Sequence, residues 1–318
     1  MTKIKILKKL YILIGLALFV FILYNVNFAE LVKSIKAADL NLIILGLALV
    51  IPSILIKSWR WNYLKKVQGI EYKLWDSFLM YNVGFFAGGF SPSQFGELIK
   101  IYYLKKDGYS LGKSLSNIIL DRLIDAIYLI IISYIGIVIF FRQFSSIINE
   151  VAIFSLVAFF LIVLLSRKKI IKKIIHKLIP GHHLDRWKIS YDDFIKNLKL
   201  PLKRSYLYAF MITVLAWIVY YIQMEIFCLS VKLTIPPLQL AFAVTIAGLV
   251  TLLPVSILGM GTREVALITF LYPYYSDVSQ VIIFSELILM ANIFGYLIGV
   301  LCWLIKPLPL KSLKYENA

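Results

Sequence analysis

The chain has 318 residues, 61% of them hydrophobic, with 34 Lys and Arg against 17 Asp and Glu. A mean hydropathy of +0.85 excludes an ordinary soluble domain, since soluble chains are nearer half apolar. The formal charge of +17 has no separate basic domain to carry it. That excludes a dedicated nucleic-acid module and points to loops held against anionic lipid.

Taken in order, the chain opens on Lys3, Lys5, Lys8 and Lys9 and an apolar run to Tyr24. No small-residue cleavage site follows, so the run is read as a first span at 7–24 and not as a signal peptide. Further full spans are predicted near 40–57, 114–141, 150–166, 205–231 and 280–304, each near the ~20 residues a bilayer requires. Between them, Arg60, Lys65 and Lys66 are read as a basic loop after Lys57, and the most basic stretch is 167–204. Within that stretch Ile170, Ile171, Ile174, Ile175, Leu178 and Ile179 recur at helical spacing opposite lysines, as in a cationic interfacial helix. Loops rich and poor in Lys and Arg alternate so that both termini fall on the cytoplasmic side.

Two segments are interrupted. In 74–104 an apolar run stops at Gly88-Gly89, and Ser91-Pro92-Ser93-Gln94 reads as a helix restart, with Ser91 as N-cap and Pro92 in the first turn. Gly96 and Glu97 follow. In 238–272 a similar run breaks at Pro254, Gly259 and Gly261, and a short helix opens with Thr262 as candidate cap and Glu264 in its first turn. Glycine permits backbone angles and close approaches that side chains forbid. Irregular backbone at membrane depth is tolerated only where it lines a protein cavity, and the freed N–H groups at a helix start suit an anion. Each break sits between two full spans, and the two units enter from opposite sides. This is the pattern of an inverted repeat with its site near the midplane. The fold class expected is therefore all-α: a polytopic membrane protein of about six full spans plus two re-entrant broken helices, forming one integral membrane domain over 1–318.

Charges inside apolar spans are costly and mark function by default. Asp121, Arg122 and Asp125 open the span at 114–141, with Asp121 and Asp125 on one helix face and Arg122 in reach of Asp125. Snorkelling to the interface is the plainer alternative for this trio. Arg263 and Glu264 flank the second break, either pairing with each other or clamping a phosphate, and Glu97 is the first break's counterpart. Glu225 and Glu286 are single acids in apolar spans. The sequence reading places Glu97, Arg122, Asp125, Arg263 and Glu264 around one cavity. Arg122 and Arg263 would hold a lipid phosphate there, with the acids setting their orientation or exchanging protons. His176, His182 and His183 lack neighbours at metal spacing, and no nucleotide-binding or hydrolase motif is present. No cofactor, metal or catalytic residue is expected. Cys228 and Cys302 lie in apolar segments and are expected as buried, reduced thiols.

The blocks Ser91-Pro92-Ser93-Gln94-Phe95-Gly96-Glu97, Asp121-Arg122-Leu-Ile-Asp125, and Pro254 with Gly259-Met-Gly261-Thr262-Arg263-Glu264 resemble the flippase-like membrane family that includes the transmembrane region of lysylphosphatidylglycerol synthases. The resemblance spans nearly the whole chain. It implies an inner-membrane protein with two re-entrant segments that moves a lipid or lipid-linked headgroup between leaflets. Two departures stand out. The family often carries a basic residue before the Gly-Glu pair, where this chain has Gln94 and Phe95. The aminoacyl-transfer domain of the synthases is not expected after span 280–304, so neither is lysyl transfer. The functional expectation is a translocator of an anionic lipid. The alternatives are an enzyme or accessory subunit of lipid-linked sugar or aminoacyl-lipid metabolism, and an ion or solute transporter. Membrane lipids are the expected partner, and a homo-oligomer is compatible with the composition.

Overall fold

The computed structural model describes residues 36–140, 192–197, 204–252, 256, 258–275 and 277–307. The expected spans at 7–24 and 150–166, nearly all of the basic stretch 167–204 with its interfacial helix, and Pro254 lie outside the described residues. Those residues are helical, joined by turns and short 3₁₀ pieces, and no strand occurs among them. Helices α1 (Leu40–Ala48) and α2 (Val50–Val67) run on from one another. Then come α3 (Leu74–Gly89), a 3₁₀ segment (Pro92–Ile99), α4 (Lys100–Lys106) and α5 (Leu111–Phe140). The second half comprises α6 (Arg204–Ser230), α7 (Pro237–Thr251), α8 (Thr262–Leu271), a 3₁₀ turn (Tyr272–Tyr274) and α9 (Val278–Ile305).

Among the described residues, four helices are long and apolar enough to cross a bilayer: Leu40–Val67, Leu111–Phe140, Arg204–Ser230 and Val278–Ile305. Their outward surfaces are apolar, and small and hydrogen-bonding residues are concentrated on inward faces. On α6 the residues Leu207, Met211, Leu215, Ile218, Ile222 and Leu229 recur every three to four positions or multiples of these, and all are exposed. On α5 the buried face instead carries Ser114, Asn117, Asp121, Ser133 and Gly136. Small and hydrogen-bonding residues belong at helix contacts in lipid, because the tails are as apolar as leucine and offer no drive to bury it.

The helices that lead into the two breaks are each shorter than a bilayer core. Helix α3 has 16 residues and α7 has 15, or roughly 24 and 22 Å at the α-helical rise against a hydrocarbon core of about 30 Å. The 3₁₀ segment turns back against α3, and α8 turns back against α7. Between halves, α2 packs on α6, α3 on α9 and α5 on α7. A core of Phe227, Phe284, Leu267, Leu271, Ala243 and Val281 joins the second-half helices. At one end the connecting turns are pinned together. The Tyr72 hydroxyl donates to Asp107 at 2.5 Å, the Tyr109 hydroxyl accepts from the Glu71 N–H at 3.1 Å, and Lys113 donates to the Gly69 carbonyl at 3.0 Å. Burial, and then the bond to Asp107, hold the Tyr72 phenol well above its usual range.

The structure corrects one boundary with consequences. Span 40–57 does not end at Lys57, because the helix continues to Val67. Arg60 and Lys65, expected in a basic loop, are 1% and 0% exposed inside the bundle. Lys65 donates to the Ser77 hydroxyl at 2.7 Å and lies over the Trp61 and Tyr72 rings at 3.9 and 4.2 Å, so its charge is met by hydroxyl and π-faces. Aromatic residues lie both outside and inside the bundle: among the described residues Trp59, Trp75, Phe95 and Tyr272 are exposed. Trp61, Tyr81, Tyr103, Tyr128, Phe227 and Phe284 are buried.

Candidate functional site

The first break is built by close backbone contact. A Cβ on Gly96 would lie 1.9 Å from the Ala87 carbonyl oxygen, so only glycine lets the 3₁₀ segment lie against the end of α3. The restart is 3₁₀ and not α-helical. Ser91 makes no N-cap bond of the usual kind. Its hydroxyl donates to the Gly88 carbonyl (2.9 Å) and accepts from the Gly96 N–H (2.6 Å), tying the two strands of the break together. Gln94, three residues after Ser91, adopts φ 58°, and its amide oxygen accepts from Arg122 at 3.0 Å. Glu97 is thereby turned inward, 3% exposed.

Around Glu97 lies a closed ion network. Arg60 from α2 grips Asp121 (2.8 Å) and Asp125, both on α5, and donates to Thr213 on α6 at 2.9 Å. Arg122 reaches Glu97 at 2.9 Å, Asp121 at 3.0 Å and Asp125 at 3.1 Å. Lys100 pairs with Glu97 at 2.6 Å and lies 3.9 Å from Asp121. Three cations thus balance three carboxylates, so the network is neutral. Lys100 and Asp121 are fully buried, while Arg122 and Asp125 retain 30% and 18% side-chain exposure. The i, i+4 spacing of the two aspartates allows one guanidinium to hold both. Snorkelling does not describe this trio.

The second break uses positive-φ backbone. Leu258, Gly259 and Gly261 have φ of 59°, 75° and 81°. Gly261, and not Thr262, is the N-cap of α8, and the Thr262 hydroxyl bonds the Gly259 carbonyl and Ser256. Glu264 accepts the Gly261 N–H at 2.5 Å, so the positive end of α8 is met by the protein's own carboxylate. Its other oxygen takes the Ser285 hydroxyl at 2.6 Å and Arg263 Nη2 at 2.7 Å, while Arg263 Nε donates to Ser285 at 2.6 Å. Arg263 Nη1 makes no hydrogen bond among the described residues.

Both breaks open onto one cavity of about 240 Å³. Its walls include Arg122, Asp125 and Arg263 from the sequence-predicted set, with Ser91, Gln94, Ser256 and Gly259 from the breaks themselves. Glu97 and Glu264 do not line it. Each stands behind the arginine it orients. The apolar side carries Phe85, Trp217, Tyr220 and Tyr296. Sequence reasoning missed Arg60, Lys57 and Lys100 as members of the site. The signal was present in α2: Val50, Ser53, Ile54 and Lys57 follow i, i+3, i+4, i+7 spacing and all face the cavity, with Arg60 one turn on. Glu225 and Glu286 lie outside the lining, each with a buried oxygen lacking a hydrogen bond. Cys228 and Cys302 are buried and free.

Apolar crossing helices around a charged cavity define a multi-pass integral membrane protein with an internal polar site. The chain belongs to the family described as "Lysylphosphatidylglycerol synthase TM region", matched over residues 9–301. It is similar to a UPF0104 membrane protein of Methanocaldococcus jannaschii, 26% identical over 287 residues, which cover 84% of this chain and 85% of that protein. A UPF0104 membrane protein of Pyrococcus horikoshii is 27% identical over 128 residues, covering 39% of this chain and 38% of the relative.

Proposed function

We propose that the chain is a membrane lipid translocator, passing an anionic lipid headgroup between leaflets while the hydrocarbon tails stay in the bilayer. The observation that carries this reading is the convergence of two broken segments, each bearing an arginine held by an acid, on one cavity inside an apolar bundle. At about 240 Å³ the cavity is below the roughly 300–1,000 Å³ of sites that enclose a whole small molecule. Its size suits a polar headgroup better than a whole lipid. Arg122 and Arg263 contact the phosphate in this reading, and Glu97, Asp125 and Glu264 hold them in place. No covalent step is involved.

The same reading treats the chain as a single integral membrane domain with re-entrant breaks at 74–104 and 238–272, both termini cytoplasmic, in the cell membrane. An inverted repeat is supported by the exchange of partners between halves. The first unit's broken helix α3 packs on the second unit's last span α9, and the second unit's broken helix α7 packs on the first unit's last span α5. A two-fold operation in the membrane plane interchanges those contacts and maps the α2–α6 pair onto itself.

The test is reconstitution of purified protein into phosphatidylcholine vesicles holding a trace of headgroup-intact, tail-labelled phosphatidylglycerol, with dithionite bleaching from outside. Bleaching of inner-leaflet label, slowed about tenfold or more in Arg263→Lys, is expected. Bleaching confined to the outer leaflet at all protein densities would overturn the reading.

A further inference from the structure

Lys57 is the uncompensated charge of the cavity. It lies on α2 one turn before Arg60 and lines the cavity wall, yet it makes no hydrogen bond and no ion pair among the described residues. Every other cation in the site is engaged. Arg60, Arg122 and Lys100 are balanced by Glu97, Asp121 and Asp125, and Arg263 by Glu264. Among the described residues, the cavity therefore presents one amine, Lys57, without a carboxylate partner, together with an Arg263 Nη1 that makes no hydrogen bond. Asp125 is the acid among the described lining residues, and Arg60 and Arg122 hold its two oxygens. An amine on the ligand would find no unpaired carboxylate. The remaining polar lining is neutral: Ser53, Gln94, Gln223, Ser256 and Asn292.

We infer that Lys57 joins Arg122 and Arg263 in contacting the anion and that the site selects a phosphodiester of one net negative charge bearing a neutral, hydroxyl-rich substituent, in preference to a zwitterionic headgroup. Lys57 is half-buried in the cavity wall, where an unpaired ammonium is costly, and a singly charged phosphate oxygen between Lys57 and Arg263 Nη1 satisfies both donors. This rests on the translocator reading for the ligand being a lipid, but the charge argument holds for any phosphodiester reaching the cavity.

The experiment measures the melting temperature of detergent-purified protein against increasing dioctanoyl phosphatidylglycerol, dioctanoyl phosphatidylcholine and tailless glycerophosphoglycerol, for the unmodified chain, Lys57→Met and Lys57→Arg. Phosphatidylglycerol should stabilise the unmodified chain at concentrations where phosphatidylcholine does not. Lys57→Met should melt no lower than the unmodified chain without lipid, because Lys57 makes no hydrogen bond or ion pair among the described residues, and should need about tenfold or more phosphatidylglycerol for the same shift, the size of one charge-assisted hydrogen bond. Lys57→Arg should keep most of the response. An unchanged phosphatidylglycerol response in Lys57→Met, equal responses to the two lipids, or no stabilisation by any of the three ligands would each overturn the inference. A response to glycerophosphoglycerol as strong as to the lipid would uphold Lys57 while counting against a lipid as the ligand. The vesicle assay separates the two readings further. Binding without translocation refutes the translocator alone, and translocation unaltered by Lys57→Met refutes the Lys57 assignment alone.

Discussion

Replacing Arg60 with Met removes one charge from a network that is neutral only while all its members are present. Asp121 is wholly buried and takes Arg60 Nε and Nη2 at 3.0 and 2.8 Å, while Asp125 takes the other side of the same guanidinium. After substitution Lys100 and Arg122 face Glu97, Asp121 and Asp125, leaving one buried negative charge without a counter-ion. Breaking a buried pair from one side costs about 3–5 kcal/mol, or roughly two to three and a half powers of ten in the folding equilibrium. An exposed pair would cost no more than about 1 kcal/mol. Removing Asp121 as well, in Arg60→Met/Asp121→Leu, restores neutrality with Lys100 and Arg122 facing Glu97 and Asp125. The double variant should recover about 2–3 kcal/mol relative to the sum of the single changes. Equilibrium unfolding in mixed dodecyl maltoside and dodecyl sulfate micelles, followed by tryptophan fluorescence, measures both quantities. A loss below about 1 kcal/mol for Arg60→Met, or strict additivity in the double variant, would refute a closed and neutral network.

Gly96→Ala places a methyl against the Ala87 carbonyl, a backbone atom that no rotamer change can move aside. It should cost at least about 1–3 kcal/mol, seen as reduced monodisperse yield and a lower melting temperature. Gly261→Ala puts a side chain at φ 81° and should cost about 1–3 kcal/mol in the same micelle titration, and a neutral outcome would mean that α8 does not need its left-handed cap. Arg263→Lys cannot reach Ser285 and Glu264 together as the guanidinium does. It should leave a folded protein with translocation of phosphatidylglycerol reduced about tenfold or more, and normal translocation would remove Arg263 from the site.

Membrane residence, helical class and the two break points were legible in the sequence because they depend on local quantities. Run length decides whether a segment crosses, and Gly, Pro and Ser decide where a helix stops. The identity of several site residues was legible for the same reason, since Asp121, Arg122, Asp125 and Arg263 are charges in apolar surroundings. Cap geometry was less so. Thr262 and Gly261 compete for the same role, and only the backbone's left-handed turn at Gly261 settles which one caps α8.

Tertiary structure alone decided which charge faces which. Lys57, Arg60 and Lys65 occupy nine positions of one helix and read in sequence as a basic loop, yet one faces the cavity, one binds two aspartates on α5, and one sits under aromatic rings. Linear sequence records the net charge of that stretch. The sign at each point inside depends on partners 61 and 65 residues away for Arg60, and opposite charges at short range in a medium of low dielectric outweigh any local propensity. The sum that leaves Lys57 without a partner exists only once α2, α5 and both breaks have come together.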